Sequence, residues 1–354
     1  MRLVPYVGGR SLDEMKRQYG RTDFIKLASN ENVLGPSPKA VAALRHAIGE
    51  THLYPEQGYP VLKAALAKRY RIKPDQVVLG DGSNELLVLA CEAFLRPGDE
   101  AVIADPSFAV FAHAIEAAGA KVVRVPLRDW RHDLPAMGRA VTRRTRLVFV
   151  CNPNNPTGTM VTRRELDAFL RSLPGHLIVL LDEAYGEFAS DRSFPDSLSY
   201  VRCNLRVLVV RTFAKLHGLA GLRIGYGLAP APLADILERL RQPFNVSTLA
   251  YRAAIAALAD RGHERRTLAM ARAGREALAR ELGRLGLTPI PSQTNFVLVD
   301  THRDGKAFAT ALERRGIIVR PLGHPLLRRC VRITVGTPAQ HRRLLAAVRA
   351  ILFG

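Results

Sequence analysis

The stretch Val207-Leu-Val-Val-Arg-Thr-Phe-Ala-Lys215-Leu-His-Gly-Leu-Ala-Gly-Leu-Arg223-Ile-Gly-Tyr-Gly227 joins two strand-like runs through a glycine-rich turn. The β-branched run at its start is typical of a buried strand, and Lys215 follows soon after that run. Burial at such a position lowers the pKa of an amine and makes it a nucleophile toward carbonyl groups. A lone lysine in a loop is more often an exposed charge, so this hypothesis depends on the rest of the chain.

The segments around this stretch alternate between short β-rich runs and helical stretches. Strands are predicted at residues 77–79, 101–104, 121–125, 146–151, 177–181, 207–210 and 224–228. These apolar runs lack strict alternation with polar residues, which indicates strands that are buried on both faces. Together with the intervening helices, they favour an α/β fold in which a mostly parallel sheet is covered by helices on both sides. Ligand sites in such sheets lie at the carboxyl ends of the strands.

The two ends of the chain have a different pattern. Residues 1–35 form an irregular arm, and a long helix is predicted at 264–285. The rest of the C-terminal part alternates strands, predicted at 295–299, 317–320 and 331–335, with helices at 305–315 and 338–352. We expect the arm and this α+β unit to form a second, smaller domain, because 354 residues exceed one simple core. The predicted parts are residues 1–50 for the arm and part of the small domain, 51–262 for the large domain and 263–354 for the C-terminal small domain.

The composition is that of a globular protein, with 47% hydrophobic and 24% charged residues. A net charge of +20 is a feature of many nucleic-acid-binding proteins. Here, however, the basic residues are spread along the whole chain, and their short clusters lack interleaved aromatic side chains. A nucleic-acid partner is therefore not favoured, and the charge is better suited to steering an anionic small-molecule substrate toward the protein.

The sequence carries no signal for a membrane, for export or for a metal. No apolar run approaches the roughly 20 residues that cross a bilayer, and the first residues do not have the pattern of a secretory signal. The cysteines are scattered without a C-x-x-C pair, at Cys91, Cys151, Cys203 and Cys330. We therefore expect a cytoplasmic protein with reduced thiols and without a bound metal.

A glycine turn precedes a predicted helix at Leu79-Gly-Asp-Gly82-Ser83-Asn84-Glu85. The N–H groups and the positive dipole end at the start of a helix suit a phosphate. Many such turns carry glycine for conformational reasons alone, so this feature is weak by itself. Thr212 and Arg223, from the stretch quoted first, add a hydroxyl group and a positive charge to the candidates.

Two polar strings follow apolar strands. Phe149-Val-Cys-Asn-Pro-Asn-Asn155-Pro-Thr-Gly158 contains two X-Pro steps, which fix an extended loop and point amide side chains from the strand end. Val179-Leu-Leu-Asp182-Glu-Ala-Tyr185 ends an apolar strand with an aspartate, which there needs a cation or hydrogen-bond donors. A helix N-cap is an equally good explanation of that aspartate. Pyridoxal 5′-phosphate has an aldehyde, a pyridinium nitrogen and a phosphate. A lysine, an aspartate, and a helix start with an arginine are the protein groups that bind these three parts, so the candidates together indicate this cofactor.

The chain resembles the fold-type I aminotransferases that use pyridoxal phosphate, and within them the histidinol-phosphate aminotransferase group. The Asn-Asn-Pro-Thr-Gly and Asp-Glu-Ala-Tyr strings are specific for the superfamily, whereas strings near the N-terminus indicate the subgroup. The resemblance covers essentially the whole chain, with matching segments at residues 3–6, 26–32, 34–38, 54–55, 82–85, 154–158, 182–185, 220–225, 294–296, 331–333 and 336–337.

The resemblance implies a role for each cofactor residue. Lys215 is implied to join the cofactor aldehyde and then to move the proton between the substrate Cα and the cofactor as general base and acid. Asp182 is implied to keep the pyridine nitrogen protonated, while Asn155 and Tyr185 hydrogen-bond the phenolate oxygen. The other implied cofactor contacts are Gly82, Ser83, Asn84, Phe108, Thr212, Arg223 and, from the second subunit of a homodimer, Tyr54.

By the same resemblance, the substrate contacts are Tyr6, Asn155, Arg320 and Arg332. Arg332 matches the arginine that binds the carboxylate of glutamate through two hydrogen bonds. Either arginine could instead be a surface charge, but the apolar strand around Arg332 favours a functional role there more than at Arg320. The implied reaction transfers the amino group of L-histidinol phosphate to 2-oxoglutarate in histidine biosynthesis. An aromatic amino acid aminotransferase and a threonine-phosphate decarboxylase share most of these motifs. A non-catalytic ligand sensor of this fold is disfavoured because Lys215 is present.

Three positions depart from the family pattern. Ala214 stands where a serine often binds the phosphate, Asn84 where an aspartate is usual, and Phe108 where a tyrosine is common. Loss of one hydroxyl contact costs about 0.5–1.5 kcal/mol of binding free energy. We therefore expect phosphate binding to depend on Thr212, Arg223 and the glycine turn.

Overall fold

The structure is a computed structural model that describes residues 8–203 and 206–354. Its α-helices are α1 (Leu12–Tyr19), α2 (Pro38–Ala47), α3 (Pro60–Tyr70), α4 (Gly82–Phe94), α5 (Val110–Ala117), α6 (Leu134–Arg139), α7 (Arg163–Ser172), α8 (Ser197–Arg202), α9 (Ala231–Leu240), α10 (Thr248–Leu258), α11 (Arg261–Arg284), α12 (Gly305–Glu313) and α13 (Pro338–Phe353). Its strands are β1 (Ile25–Lys26), β2 (Val77–Gly80), β3 (Glu100–Asp105), β4 (Lys121–Pro126), β5 (Thr145–Cys151), β6 (Ile178–Asp182), β7 (Val207–Thr212), β8 (Gly225–Leu228), β9 (Thr288–Pro289), β10 (Phe296–Asp300), β11 (Ile317–Ile318), β12 (Arg320–Pro321) and β13 (Cys330–Thr334).

A seven-stranded sheet forms the centre of the molecule, with the strand order β2-β8-β7-β6-β5-β3-β4. Strands β4, β3, β5, β6 and β7 pair in parallel, whereas β8 runs antiparallel to both β7 and β2. The start of β8 therefore lies at the same edge as the end of β7, and Gly225 pairs with Thr212. This topology brings the two ends of the lysine-containing turn together at one edge of the sheet.

Both faces of this sheet are buried. Along β6, Val179 and Leu181 belong to one apolar core and Leu180 to the other, as the two-residue period of a strand requires. Helices α3, α6, α7, α8 and α10 supply apolar side chains to the first core, and α4, α5 and α9 supply them to the second. The predicted α/β fold, a mostly parallel sheet between two layers of helices, is confirmed.

A smaller antiparallel sheet, with the order β12-β13-β10-β9, forms the C-terminal part. Helices α11, α12 and α13 share a third core with it, which includes Leu282, Leu312 and Leu344. Strand β1, near the start of the chain, pairs in parallel with β11 through Ile25 and Ile317. The N-terminal arm is thereby joined to the C-terminal α+β part.

Some predicted elements differ from the structure. The strand predicted at residues 317–320 is two short strands, β11 and β12, which pair with different partners. The long helix begins at Arg261, because the Asp260 side chain accepts the His263 N–H and caps its start. Helix α6 and strand β9 were not predicted, since six and two residues are too short to establish a periodic pattern. Across residues 8–203 and 206–354, every helix is too short or too polar to span a membrane.

Candidate active site

A cavity of about 210 Å³ lies where the strands of the large sheet end, between that sheet and the C-terminal part. Asp182 and Thr212 are the last residues of their strands, and Arg320 and Arg332 lie within β12 and β13. The other candidates lie in loops or at the start of a helix. The predicted site residues that line the cavity are Ser83, Asn84, Phe108, Asn155, Asp182, Tyr185, Thr212, Lys215, Arg223, Arg320 and Arg332.

Lys215 projects into this cavity, and its Nζ donates a hydrogen bond to the Ser29 carbonyl oxygen at 3.4 Å. Burial, together with the positive charges of Arg332 and Arg223, lowers the pKa of this amine to about 8. Glu31 and Asp182 oppose the effect. At pH 7 about a tenth of the amine is therefore uncharged, far more than for an exposed lysine, and this is the form that reacts with a carbonyl group.

Asp182 is buried at the end of β6, with 3% of its surface exposed. Burial, with a smaller contribution from the charge of Glu183, raises the pKa of this carboxyl group to about 6, although Lys215 lowers it. Its Oδ1 accepts the Ala184 N–H at 3.0 Å, and the next helical segment is the short 3₁₀ turn Gly186–Phe188. The side chain therefore caps a local turn rather than an α-helix, and it faces a cavity that can hold a cationic group.

Tyr185 is buried beside Asn30, a site residue that the sequence reasoning missed. The Asn30 side-chain amide donates to the Tyr185 hydroxyl at 2.8 Å, and burial raises the pKa of this phenol to about 12. Asn30 itself has a left-handed backbone, with φ 54°, and its N–H donates to Thr334 Oγ1 at 2.9 Å. Asn30 lies in the matching segment at residues 26–32, but nothing in the sequence alone connects this asparagine to Tyr185.

The start of α4 faces the cavity through Ser83 and Asn84. Among the described residues, no side chain caps this helix from its N-cap position, so its first N–H groups remain available to an anion. Gly82 has φ +71°, and a β-carbon there would overlap the guanidinium of Arg223. Glycine is thus required both for the backbone conformation and for the approach of the arginine.

Thr212 and Ala214 complete this end of the cavity. Thr212 Oγ1 accepts the Ala214 N–H at 3.0 Å and donates to the Ile224 carbonyl oxygen at 3.4 Å. Ala214 lines the cavity with a methyl group where the family often has a hydroxyl. The groups here that are suited to a phosphate are the start of α4, the Thr212 hydroxyl and Arg223.

Two further arginines line the cavity from the small sheet. Arg320 and Arg332 are direct partners in the antiparallel pair β12–β13, so their side chains are neighbours. Arg332 Nη1 donates to Asn155 Oδ1 at 2.5 Å, and Nη2 donates to the Ala28 carbonyl oxygen at 3.0 Å. Two neighbouring positive charges that line one cavity form a binding site for an anionic group.

Other predicted residues lie elsewhere. Tyr54 lies outside the cavity of its own chain: it is 82% exposed and stacks on Phe244, with ring centres 4.8 Å apart. Gly82 adjoins the cavity through Arg223. Tyr6 lies outside the described residues. Asn154, the neighbour of Asn155, was not predicted as a site residue and has a structural role. Its side-chain N–H groups donate to the Pro106 carbonyl oxygen and to Thr157 Oγ1, and its Oδ1 accepts the Ser107 hydroxyl.

The chemistry of the residues that line the cavity fits pyridoxal phosphate. It offers an amine of lowered pKa for an aldehyde, a buried carboxylate for a pyridinium nitrogen and a helix start for a phosphate. The space left by the missing side chain of Gly82 admits Arg223 to the phosphate end. All of these features are contacts and charges of residues that the structure describes.

A family model for aminotransferase class I and II matches residues 22–348. The chain belongs to this family. Similar curated proteins are a histidinol-phosphate aminotransferase of Moorella thermoacetica, 44% identical over 99% of this chain and 91% of the relative, and histidinol-phosphate aminotransferase 2 of Pseudomonas fluorescens, 45% identical over 99% and 95%. The predictions of an aminotransferase and of its fold are confirmed.

Solved structures of this aminotransferase family are also similar. The histidinol-phosphate aminotransferase of Sinorhizobium meliloti, crystallised in complex with pyridoxal 5′-phosphate, superposes with a TM-score of 0.91 at 33% identity and covers 99% of this chain and 95% of that one. The aspartate aminotransferase of Thermus thermophilus with maleate gives a TM-score of 0.84 at 25% identity, over 96% and 94%. The second similarity indicates that this fold accommodates more than one substrate, so the cavity must decide the specificity.

Proposed function

We propose that this aminotransferase binds pyridoxal 5′-phosphate and transfers the amino group of L-histidinol phosphate to 2-oxoglutarate, which gives imidazole acetol phosphate and L-glutamate. The observation that carries the proposal is that two groups suited to anions line the same cavity as Lys215: the start of α4 with Arg223, and the cross-strand arginines Arg320 and Arg332. The first group suits the cofactor phosphate and the second an anionic substrate. The names of the relatives support this choice of amino donor.

Seven features of the chain would hold the cofactor, which when bound supplies an aldehyde and an electron-accepting ring. The start of α4, Thr212 and Arg223 bind its phosphate, and Asp182 pairs with its ring nitrogen. Asn155 and Tyr185 hydrogen-bond the phenolate oxygen of the cofactor. The hydrogen bond from Asn30 to the Tyr185 hydroxyl supports this role, because it holds the phenol in place. Phe108 offers an aromatic face to the ring and packs edge-on against Phe111.

Lys215 moves the proton at the substrate Cα. Its lowered pKa supports this role, because a general base works best when its pKa lies near the operating pH. Arg332 binds the carboxylate of glutamate or 2-oxoglutarate, and Arg320 and Arg332 together bind the phosphate of histidinol phosphate. The contact expected from Tyr6 stays a prediction of the sequence.

The specificity is tested with a panel of amino donors and 2-oxoglutarate, together with a carbon dioxide assay for decarboxylation. We expect histidinol phosphate to have the highest kcat/KM, because both arginines then pair with its phosphate. A preference of about tenfold for phenylalanine or tyrosine would instead identify an aromatic aminotransferase. Release of carbon dioxide from threonine phosphate would identify a decarboxylase, and cofactor binding without turnover of any donor a sensor.

We also propose a homodimer in which Tyr54 contributes to the cofactor site of the second subunit. Tyr54 and its neighbour Leu53 are exposed, with 82% and 57% of their surfaces accessible, and Tyr54 is held by its stacking on Phe244. An apolar, ordered aromatic surface of this kind is typical of a subunit interface.

The shared site is tested by mixing two inactive variants, Tyr54→Ala and Lys215→Ala, under conditions that exchange subunits. Each mixed dimer then contains one site with both side chains intact, so we expect activity at about a quarter of the sites. Each variant incubated alone serves as the control. A mixture that stays as inactive as its components, although subunit exchange is measured, would exclude the shared site.

The proposed location is the cytoplasm. All four cysteines carry free thiols, and Cys91, Cys151 and Cys330 are buried. Free thiols suit a reducing compartment. Fractionation of cells that produce the tagged protein tests this location.

A further inference from the structure

A buried ion pair lies behind the wall of the cavity. Glu183 directly follows Asp182 at the end of β6, and Arg211 directly precedes Thr212 at the end of β7. Successive side chains of an extended strand point to opposite faces. Asp182 and Thr212 line the cavity, so Glu183 and Arg211 meet on the far side of the same strand ends.

The contacts of this pair are close and shielded from water. Arg211 Nε and Nη2 donate to Glu183 Oε2 at 3.0 and 2.7 Å, and the two side chains are only 12% and 1% exposed. The other carboxylate oxygen of Glu183 accepts the Ser197 hydroxyl. The Arg211 guanidinium also lies over the Tyr70 ring, 5.0 Å from its centre. A buried carboxylate that loses its cation is strongly unfavourable, so each charge depends on the other.

We propose that Arg211 is a positioning residue for transamination. Through Glu183 it holds Asp182 and Thr212 at the cavity wall, and it keeps the Asp182 carboxylate charged for the cofactor nitrogen. The inference rests on the proposed use of pyridoxal phosphate. The Glu183 N–H donates to the Val210 carbonyl oxygen at 2.8 Å, so the ion pair and this backbone bond together fix the two strand ends.

The charge argument follows from the surroundings of Asp182. The titratable groups that act on it or are affected by it are Glu183, Lys215, Cys151 and Tyr185, on β5 and the loops after β6 and β7. Behind them, Arg211 also faces the buried carboxylate of Glu187. Burial raises the pKa of Asp182, and the adjacent negative charge of Glu183 contributes to the resulting value of about 6. Arg211 offsets that charge from behind the sheet, so its loss and the loss of Glu183 must shift Asp182 in opposite directions.

The test measures the dissociation constant of pyridoxal phosphate as a function of pH, together with the pH dependence of kcat/KM. The variants are Arg211→Met and Glu183→Gln. In the first, the uncompensated Glu183 charge moves the acid-side midpoint of cofactor binding to higher pH by about one unit; in the second, the unpaired arginine moves it to lower pH. The cofactor phosphate titrates in the same pH range for the wild type and every variant, so a difference between their midpoints reports on Asp182.

Two further variants separate charge from geometry. Arg211→Lys keeps the positive charge but loses the paired contacts, so its midpoint stays in place while its dissociation constant rises about threefold to tenfold. Arg206→Met is the matched control. This exposed arginine directly precedes the first residue of β7, and its Nη1 donates to the His176 carbonyl oxygen at 3.5 Å. We expect neither quantity to change in Arg206→Met.

Opposite shifts of the midpoint support the positioning role. Midpoints that stay at the wild-type value, or that move in the same direction in both variants, would overturn it. Loss of packing alone does not shift the pKa of Asp182 in opposite directions in the two variants. If Arg211→Met does not fold, the nearly isosteric Glu183→Gln still gives the answer through the direction of its shift. A wild-type protein that does not bind pyridoxal phosphate would instead refute the proposed function itself.

Discussion

At the scale of single residues, burial gives ordinary side chains the properties that the chemistry needs. It lowers the pKa of Lys215 to about 8 and raises those of Asp182 and Tyr185 to about 6 and 12. The sequence indicated the first two residues, because a lysine and an aspartate at the ends of apolar strands require an explanation. It could not indicate Asn30, which is distant in the chain from the tyrosine that it bonds.

The affinity for pyridoxal phosphate should depend on pH through Asp182. In the empty cavity this carboxyl group is charged above about pH 6, so protons compete with the cofactor nitrogen as the pH falls below that value. We expect weaker binding at pH 5 than at pH 7, measured by equilibrium dialysis. The control Asp182→Asn should keep only the part of the pH dependence that comes from the cofactor phosphate, and its kcat should fall by about 10²-fold or more.

Removal of Asn30 should affect the reaction through Tyr185. We expect Asn30→Ala to reduce kcat by about tenfold, because the phenol loses the donor that orients it, and to lower the free energy of unfolding by about 1–3 kcal/mol. Tyr185→Phe and the double variant complete a double-mutant cycle. If the two single effects on kcat are simply additive, the hydrogen bond between these side chains does not contribute to catalysis.

At the scale of elements, the phosphate end of the cavity depends on how α4 and β8 meet. Gly225 at the start of β8 lies against the start of α4, and a β-carbon there would be 2.5 Å from the Ser83 nitrogen. The sequence predicted the glycine turn and both neighbouring strands. It did not indicate that β8 is antiparallel, although this orientation places Arg223 beside Gly82.

Substitution of Gly82 should therefore weaken cofactor binding. Gly82→Ala forces a left-handed alanine and displaces the Arg223 guanidinium, so we expect the dissociation constant of pyridoxal phosphate to rise about tenfold or more. Gly283→Ala is the control, because that helical glycine has open space around its Cα. Equal dissociation constants for the two variants would contradict the assignment of Arg223 to the phosphate.

At the scale of the whole molecule, the N-terminal arm and the C-terminal part close one side of the active site. Asn30 follows β1, and Arg320 and Arg332 belong to the small sheet, whereas Lys215 and Asp182 belong to the large one. We propose that these parts are two domains with boundaries near residues 50 and 262. Patterns of hydrophobic residues predicted both units, but the pairing of β1 with β11 is a long-range contact that no local pattern contains.

The net charge of +20 should favour the capture of anionic substrates. We expect kcat/KM for histidinol phosphate to fall severalfold as the salt concentration rises from about 0.02 to about 0.3 M, because added ions screen the attraction. The same assay with histidinol, which lacks the phosphate, is the control and should depend less on salt. An equal salt dependence for both donors would indicate that the charge serves another purpose.

The account depends most directly on the bond between Lys215 and pyridoxal phosphate. The measurement is the absorbance spectrum of the purified protein at about 400 nm, before and after gel filtration, for the wild type and for Lys215→Ala at equal concentration. We predict that the wild type keeps the band through gel filtration and that Lys215→Ala loses it. A wild-type protein that retains no cofactor, or a Lys215→Ala variant with the same stable band, would contradict the account.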